Sequence, residues 1–428
     1  MNQPTLSQLA ASLDGYNPDA VSVAQAQRII QDYVQPLHGL ELVPVREALG
    51  RVLATDVISP ISVPAHDNSA MDGFAFNGSD LQAGAATPLT VVGTAFAGRS
   101  FDGTVGAGQC VRIMTGAVMP ALCDTVVPQE QTQTSGDTCI SIPADTLQIG
   151  ENRRKRGEDL MQGQPALLRG RVLRPADLGL LASLGIAEVV VQRRLKVAFF
   201  STGDELRSLG EPLDPGCIYD SNRYTLLGML TRLGCELIDM GVVKDDADSL
   251  EAALRHACEH ADAIITSGGV SVGEADYTKP IMAKLGDVSF WKIGMRPGRP
   301  LAFGTITSND KKAYLFGLPG NPVAVMVTFY FFARGALLRM MGAREAALPQ
   351  LRATSLGDIR KKPGRTEYQR GILSTDAAGN PVVRTTGSQG SGVLRSMSDA
   401  NCMVVLHHQR GSVRAGEAVD VVLFDGLI

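Results

Sequence analysis

The sequence predicts a multi-domain protein with a central doubly wound α/β domain, a small inserted β domain and a C-terminal β unit that is a small barrel or a sandwich. Its 428 residues exceed the length of one ordinary domain. From residue 193 to 344, apolar runs of strand length alternate with helical segments, which is typical of a parallel sheet covered by helices. On either side, residues 56–151 and 345–428 have short β-type runs punctuated by Gly, Pro and Asp, which indicates two smaller β units.

Two segments near the inserted β unit have helical spacing. The stretch "SVAQAQRIIQDYV" predicts a helix with Ser22 as its N-cap. The stretch "RPADLGLLASLGIAEVVV" predicts a helix followed by a strand. We expect the second segment to rejoin the first in space, which makes the β unit between them an insertion.

Four glycine-rich or acidic turns follow the strands predicted in the central domain. The predicted strands include "KVAFFST", "CELIDMGVV" and "ADAIITS", and the predicted helices include "DSNRYTLLGMLTRLG", "SLEAALRHACEH" and "PVAVMVTFYFFARGALLRMMG". Ligands of such sheets bind beyond the carboxyl ends of the strands. The turns at these ends are "FSTGDEL", "VVKDDADS", "TSGGVSVGEAD" and "FGLPGNP".

Composition and charge exclude several classes of function. A net charge of −4 gives no support for nucleic acid or an anionic membrane surface as the main partner. The seven cysteines are scattered without a CxxC pair, and the N-terminus lacks the features of a signal peptide, so we expect a cytoplasmic protein. The longest apolar run, "VAVMVTFYFFA", is too short to span a bilayer and predicts a buried helix.

Two other motifs permit a functional and a structural interpretation. The sequence "HACEH" at 256–260 matches a metalloprotease pattern, but helical spacing places its histidines beside an apolar stripe, which favours a solvated flank. The basic run "NRRKRGED" at 152–159 fits a localisation signal, a phosphate-binding patch or a solvated charged face. No Walker A motif and no GxGxxG after a strand is present, so an ordinary nucleotide site is unsupported.

The glycine-rich loop after "ADAIITS" predicts an anion-binding site. Its residues expose successive backbone N–H groups, and with a helix N-terminus these form an anion nest. The alternative is a tight turn that needs glycine only for positive φ. The predicted contacts are Ser267, Gly268, Gly269, Ser271 and Gly273.

Carboxylates beside this loop predict a metal ion. Glu274 and Asp276 follow the glycines directly and would repel a phosphate unless a divalent cation lay between them. Mg²⁺ held by one or two carboxylates and by substrate phosphates is the usual arrangement. Glu205 and the pair at 245–246 arrive from neighbouring strand ends. Cations follow in "FWKIG" and "MRPGRP", namely Lys292, Arg296 and Arg299, and "GLPGNP" adds Pro319, Gly320, Asn321 and Pro322.

Together these motifs resemble one family along nearly the whole chain, from about residue 20 to 426. The segments "DNSAMDGFA", "STGDEL", "DSNRYTL", "SGGVSVGEADYTK" and "GLPGNPVAV" are similar to those of the MoeA family, the molybdopterin molybdenumtransferases. The motifs "SGGVSVG" and "GLPGNP" alone would also fit molybdopterin adenylyltransferases. The segments "DNSAMDG" and "QRGILS…TTGSQGSGVLRSM" are not expected in those shorter proteins and decide for MoeA.

The resemblance implies an activity and an assembly. The family transfers molybdenum from molybdate to adenylylated molybdopterin and releases AMP, with Mg²⁺ in support. The implied assembly is an elongated homodimer, whose site lies between domain III of one subunit and domain II of the other. The implied domains are a discontinuous domain I at 1–55 and 152–192, the inserted β domain II at 56–151, the α/β domain III at 193–344 and domain IV, a C-terminal β-barrel, at 345–428.

The resemblance also implies roles for residues that match the family motifs. Glu205 and Asp276 would hold Mg²⁺, and Arg370 with Ser391, or else the arginines of "MRPGRP", would receive molybdate or the pterin phosphate. Lysine is common in relatives where this sequence has those arginines, and arginine still holds phosphate. The catalytic set implied is Asp67, Thr115, Asp159, Asp245 and Lys292.

Two alternatives remain open at this point. The chain could catalyse the adenylyltransferase step, or it could act as a scaffold or carrier, since proteins of this family also organise partners. The retained acidic positions favour an enzyme. Possible further partners are the adenylyltransferase and the molybdoenzymes that receive the cofactor.

Overall fold

A six-stranded sheet forms the centre of the molecule. The computed structural model describes residues 4–136, 138–269, 277–344 and 348–424. The first four strands of the central sheet are parallel, and the last two run as antiparallel neighbours. In spatial order the strands are Glu236–Val243, Lys196–Thr202, Ala263–Ser267, Lys311–Leu318, Pro300–Ser308 and Gly286–Lys292.

Helices cover both faces of this sheet, which confirms the doubly wound fold. Ile264 and Leu315 lie opposite each other and belong to one apolar cluster, whereas the next pair, Ile265 and Phe316, belongs to the other. Alternation of side chains along the strands thus builds two cores from one sheet. The helices are Ser221–Arg232, Ala247–His260, Thr278–Leu285 and a continuous segment made of Pro322–Thr328, the π-helical turn Phe329–Ala333 and Arg334–Met340.

The last of these helical segments is the buried helix predicted from its apolar run. Residues Pro322–Met340 are long and apolar enough to cross a membrane by length and composition, with a mean hydropathy of 1.5, but 72% of the window is buried inside the protein. Pro322 stands at its first turn, where its missing N–H costs nothing. The sequence-predicted core helix is therefore confirmed.

The N-terminal residues are divided between two packing units. The helices Leu6–Ala11 and Val23–Tyr33 begin with capping boxes, and Ser22 is the predicted N-cap of the second. Both pack on the central core, and the Tyr33 hydroxyl lies 3.0 Å from Thr305 Oγ1. The strand Leu40–Pro44 instead pairs with Glu188–Gln192, so that strand, rather than the helices, meets the second segment assigned to domain I.

The inserted β unit is a six-stranded sheet with an apolar cluster on each face. Short strands join it to the flanking segments: Asn68–Ser69 pairs with Arg153–Arg154, and Val57–Ile58 pairs with Pro165–Leu167. The helix Pro175–Ser183 follows. In spatial order the six strands are Thr125–Pro128, Gly73–Phe76, Gln109–Ile113, Thr87–Ala95, Cys139–Ile142 and Gln133–Ser135, and 3₁₀ turns lie at Val45–Glu47, Gly78–Asp80 and Gln129–Gln131.

The C-terminal unit is a closed five-stranded barrel, which confirms the barrel implied by the family resemblance and excludes the sandwich. Its apolar core contains Val383, Val404 and Val419. A short strand of the central domain, Met295–Arg296, pairs with the first residues of a barrel strand and joins the two units. Around the barrel the strands are Thr366–Thr375, Pro381–Thr385, Leu351–Ser355, Ala418–Leu423 and Cys402–Leu406, and the one-turn helix Arg395–Ser398 precedes the last of these in sequence.

Candidate active site

A cleft of about 950 Å³ opens at the carboxyl ends of the parallel strands, where the sequence places its polar turns. One wall comes from the central domain and the other from loops of the barrel. Twelve predicted site residues line it together: Glu205, Asp245, Ser267, Gly268, Gly269, Arg296, Arg299, Pro319, Gly320, Asn321, Pro322 and Ser391. Ser271, Gly273 and Asp276 lie outside the described residues, as does Glu274.

The two described glycines of the loop are required by the backbone itself. Gly268 has φ +94° and Gly269 has φ +67°, both in the left-handed region that favours glycine. A Cβ on Gly268 would lie 2.5 Å from the Thr202 carbonyl oxygen, and one on Gly269 would lie 3.0 Å from Thr202 Oγ1. The turn interpretation of these glycines is therefore sufficient by itself, and their presence is no separate argument for a bound anion.

The floor of the cleft is a buried polar network around the start of helix Ser221–Arg232. Asp220 caps this helix by accepting from Arg223 N at 3.1 Å and also accepts from Ser201 Oγ at 3.0 Å. Asn222 donates to Ser267 Oγ at 2.8 Å and to the Gly320 carbonyl at 2.6 Å. The network thus joins the ends of two parallel strands to the "PGNP" turn.

Two adjacent aspartates at the acidic side of the cleft, Asp245 and Asp246, have different roles. Asp245 lines the cleft and accepts a short hydrogen bond from the Tyr277 hydroxyl. Burial and the negative charge of Asp245 raise the pKa of Tyr277. Asp246 instead caps helix Ala247–His260, accepting from Ser249 N and Oγ at 2.8 Å each. Within the described residues, Asp245 is therefore the member of this pair that lines the cleft.

Glu205 supplies a second carboxylate at the cleft. Its oxygens fold back over Gly203, because a Cβ built on that glycine would lie 2.6 Å from Oε2. The Asp245 amide lies 3.4 Å from the Asp204 side chain, so the turns carrying Glu205 and Asp245 are adjacent. No group of three or more His, Cys, Asp or Glu side chains suited to a metal occurs within the described ranges.

Positive charge enters from the turn that pairs with the barrel. Arg296 and Arg299 are both exposed and both line the cleft. The barrel contributes Ser391, whose carbonyl accepts from Val323 N at 3.1 Å, at the first turn of the long helix. Two exposed arginines at the cleft favour an anionic ligand there.

Arg370 has a different position from the one expected. It is fully buried, and its guanidinium donates to the carbonyls of residues 388–390 and to Ser396 Oγ, at 2.9–3.2 Å. Burial, with a smaller contribution from the nearby Arg296, lowers the pKa of Arg370 to about 10. Since its donors are engaged with the loop, Arg370 holds the segment that carries Ser391 and does not itself face the cleft.

Lys292 is also held by the protein. Its Nζ lies 2.6 Å from Asp19 Oδ1, and the side chain does not line the cleft. The hydrogen bond and charge of Lys292 lower the pKa of Asp19. The residues 18–21 therefore supply a counter-charge that the motif around Lys292 does not reveal.

The remaining predicted residues form a second group in the loops of the inserted β unit. Asp67 accepts from Arg156 N at 2.8 Å, and its other oxygen lies 3.7 Å from Arg153 Nη1. Thr115 donates to Asp72 through both its amide and its hydroxyl, at 2.7 Å each. The Asp159 amide donates to the Val63 carbonyl. None of the described residues in this group lines the cleft.

The two ambiguous motifs acquire local explanations. The run "NRRKRGED" wraps the Asp67 side chain, so it is part of the second group rather than only a charged face. In "HACEH", His260 Nδ1 contacts the His256 carbonyl, and Glu259 accepts from Ser308 and Asn309. The buried stripe contains Leu250, Leu254 and Ala257, which supports the helix-flank interpretation.

Sequence reasoning did not assign several residues of the site. Asp220 and Asn222 lie in "DSNRYTL", which resembles a family motif, but nothing in that spacing indicates contacts to two other turns. Tyr277 follows the acidic loop directly. Arg365, Gln389 and Leu394 come from the barrel, and only the tertiary structure brings them to the cleft.

Comparisons with known proteins agree with this architecture. Three family models match in order: the MoeA N-terminal region (domain I and II) at 21–185, a probable molybdopterin binding domain at 198–339 and the MoeA C-terminal region (domain IV) at 352–424. A molybdopterin molybdenumtransferase of Haemophilus influenzae is 43% identical, over 91% of this chain and 95% of its own. One of Nostoc is 36% identical, over 94% and 93%.

A solved structure extends the comparison to the fold. The molybdopterin biosynthesis moeA protein of Pyrococcus horikoshii matches with a TM-score of 0.80 at 29% identity, covering 95% of this chain and all of that one. With its sequence and its fold both matched over nearly their whole length, the chain belongs to the MoeA family.

Proposed function

We propose that this chain transfers molybdenum into molybdopterin during the biosynthesis of the molybdenum cofactor. The observation that supports this best is the cleft itself, in a chain similar over 91% of its length to a transferase of that name. It combines two carboxylates with two exposed arginines around a glycine turn. Anion binding and control of developing charge are what such a reaction requires of the protein.

The proposed substrates are adenylylated molybdopterin and molybdate, both anionic. Arg296 and Arg299 bind phosphate or molybdate oxygens, because they are the exposed cations of the described cleft and arginine binds such groups bidentately. Ser267 and Ser391 offer hydroxyls on opposite walls. Asp245, oriented by Tyr277, positions water or a proton beside the bond that releases AMP.

Mg²⁺ is proposed as the supporting ion. The chemistry of the donor set fits it: Glu205 and Asp245 are hard oxygen donors at the cleft, and substrate phosphates complete such a site. We propose Glu205 as a ligand, together with Asp276 from the segment outside the described residues. When bound, the ion would offset negative charge on the phosphates.

A homodimer is proposed because Asp67, Thr115 and Asp159, the second group of predicted site residues, do not line the cleft of their own chain. Leu40 and Leu42, both 63% exposed on one face of a strand, give the pairing segment of domain I an apolar surface. An elongated dimer would bring Asp67, Thr115 and Asp159 of one subunit toward the cleft of the other. The adenylyltransferase and recipient molybdoenzymes are proposed as transient partners.

The adjacent aspartates provide a matched test of the proposed reaction. Asp245→Ala should lower AMP release from adenylylated molybdopterin by about 10²-fold or more, because it removes the orienting carboxylate. Asp246→Ala should cost about 1 kcal/mol of stability through its lost cap and leave turnover near that of the unmodified protein.

The assay also separates the alternative functions. AMP should be released together with molybdenum incorporation, and ATP should not replace the adenylylated substrate. AMP transfer from ATP to molybdopterin would instead indicate an adenylyltransferase. Tight binding without turnover in any condition would indicate a carrier.

A further inference from the structure

We infer that Asn222 is a positioning residue that turns the hydroxyl proton of Ser267 toward the cleft, where Ser267 donates to an anionic oxygen of the substrate. The inference deepens the proposed function and rests on it for the identity of the ligand. It follows from the hydrogen-bonding capacity of three groups that meet at the floor of the cleft: the Asn222 amide, the Gly320 carbonyl and the Ser267 hydroxyl.

The orientation of the Asn222 amide is fixed by its first partner. The Gly320 carbonyl lies 2.6 Å from Nδ2, and a carbonyl oxygen can only accept. An inverted amide would place two acceptor oxygens in contact, so the nitrogen must face Gly320. The other amide atom, Oδ1, is buried and has no hydrogen-bond partner within the described residues.

This orientation determines the direction of the Ser267 hydroxyl. Asn222 Nδ2 lies 2.8 Å from Ser267 Oγ and carries only protons, so Ser267 must accept there. Its own proton then points elsewhere. In the part of the chain that the structure describes, Asn222 is the only hydrogen-bond partner of Ser267 Oγ, and Ser267 lines the cleft.

The surroundings hold this arrangement in place. Asn222 is 7% exposed and Ser267 is 1% exposed, so water does not compete strongly for either bond. Asn222 stands in the first turn of a helix whose cap, Asp220, is hydrogen-bonded to the neighbouring strand through Ser201. A donor fixed in this way requires no reorganisation when an anion arrives.

In Asn222→Asp a carboxylate oxygen replaces Nδ2, so the bond to Ser267 reverses its direction, and the contact with the Gly320 carbonyl, which can only accept, is lost at the same time. A carboxylate accepts, so in Asn222→Asp the Ser267 proton turns inward and is lost to the ligand. We expect the dissociation constant for adenylylated molybdopterin to rise about 10- to 100-fold, the effect of one hydrogen bond to a charged group. Ser267→Ala should give a rise of the same size. If Asn222→Asp does not fold, Asn222→Ala replaces it, with a smaller rise expected because Ser267 keeps its proton but loses its orientation.

A double-mutant cycle separates positioning from general support of the fold. In a Ser267→Ala background, the further change of Asn222 should have a much smaller effect on affinity than in the unmodified protein, because only its contact with the Gly320 carbonyl then remains to be lost. Asn401→Asp is the matched control: Asn401 also donates to a carbonyl, that of Leu373 at 2.9 Å, but in the barrel and away from the cleft. It should leave affinity unchanged, and melting temperatures of all variants should be recorded with the binding data.

The binding results distinguish failure of this inference from failure of the proposed function. Unchanged affinity in folded Asn222→Asp, or equal losses in both backgrounds of the cycle, would overturn the inference and leave the proposed function standing. Full affinity in Ser267→Ala overturns it as well. Full affinity in both Ser267→Ala and Arg296→Ala would overturn the proposed function too, because the cleft would then not hold the adenylylated substrate.

Discussion

The cleft and the second acidic group contain similar kinds of residues but use them differently. In the cleft, Arg296 and Arg299 are exposed, and the proton of Ser267 is directed at the open space. In the inserted β unit, Thr115 gives both of its donors to Asp72, and Asp67 accepts from the basic segment beside it. One region leaves polar groups open to the cleft, whereas the other uses them to fix the shape of its loops.

The difference shows that neither residue type nor a family motif distinguishes the residues that would contact a ligand from the residues that only support them. The rigid loops of the inserted β unit can still contact a ligand in the cleft of another subunit, provided that the two subunits place them together. The two regions would then be complementary halves of one site, contributed by two subunits. Substitutions in the two regions test whether their roles differ in this way.

The largest effect is expected from separating the two halves onto different chains. Asp67→Ala and Asp245→Ala should each reduce turnover by about 10²-fold or more, because each removes a carboxylate from every site. In an isolated heterodimer of the two variants, one of the two sites has both carboxylates, so about half of the normal activity should return. Differently tagged chains allow this species to be purified and its AMP release measured.

A homodimer of the double variant is the control, since it carries no complete site. Inactivity of confirmed heterodimers would mean that Asp67 and Asp245 act within one chain, or that Asp67 is only structural. In either case the comparison between the two regions would lose its functional meaning.

A medium effect is expected from two arginines that lie close together but have different surroundings. Arg370→Met leaves three loop carbonyls without their donor, so unfolding of the barrel should become easier by about 3 kcal/mol. Arg296→Met should change stability by less than about 0.5 kcal/mol, because the side chain is exposed, and should weaken substrate binding instead. Urea denaturation and substrate titration of both variants test this contrast.

A result in the opposite direction would reassign Arg370. If Arg370→Met keeps its stability and loses only affinity, its guanidinium leaves the loop in solution and contacts the ligand directly, as the family motif implies.

The smallest effect is expected at Thr115. Its amide and then its hydroxyl lower the pKa of Asp72 by hydrogen bonding to the carboxylate. Thr115→Val removes the hydroxyl and keeps the amide, so the pKa of Asp72 should rise partway toward its ordinary value. Because the folded pKa is depressed, the stabilising contribution is present above the unfolded pKa and disappears as the pH falls through the folded one. Carbon-detected NMR of the Asp72 carboxyl group measures the shift, and an unchanged titration would show that the hydroxyl is not engaged.

Much of the fold could be predicted from the sequence because local patterns determine it. Strand runs such as "ADAIITS" alternate with capped amphipathic helices, and this rhythm predicts the parallel sheet and the position of the cleft at its carboxyl ends. The buried helix after "PGNP" is predicted in the same way and is confirmed. Local patterns leave a barrel and a sandwich open for the C-terminal unit, and the family resemblance implies the barrel that the structure shows.

The unpredicted features depend on contacts between residues far apart in sequence. Nothing local indicates that Arg370 folds inward onto residues 388–390, or that Asp19 neutralises Lys292 across more than 270 positions of chain. The packing of helix Val23–Tyr33 on the central sheet also depends on tertiary structure, because its sequence does not specify which apolar surface its apolar face contacts. Sequence patterns identify the groups that a site contains, and packing decides which of them remain open.

The short strand pairing at Met295–Arg296 has a thermodynamic consequence. It ties the arginine turn to the barrel, and the bond from Val323 N to the Ser391 carbonyl ties the central domain to the barrel at a second point. A ligand that contacts both walls binds only while the barrel is docked, so its binding free energy adds to the cohesion of the two units. By mass action this coupling grows as RT ln(1 + [L]/Kd). At saturating substrate the α/β unit and the barrel should therefore unfold in one cooperative transition, even where they separate into two steps without it.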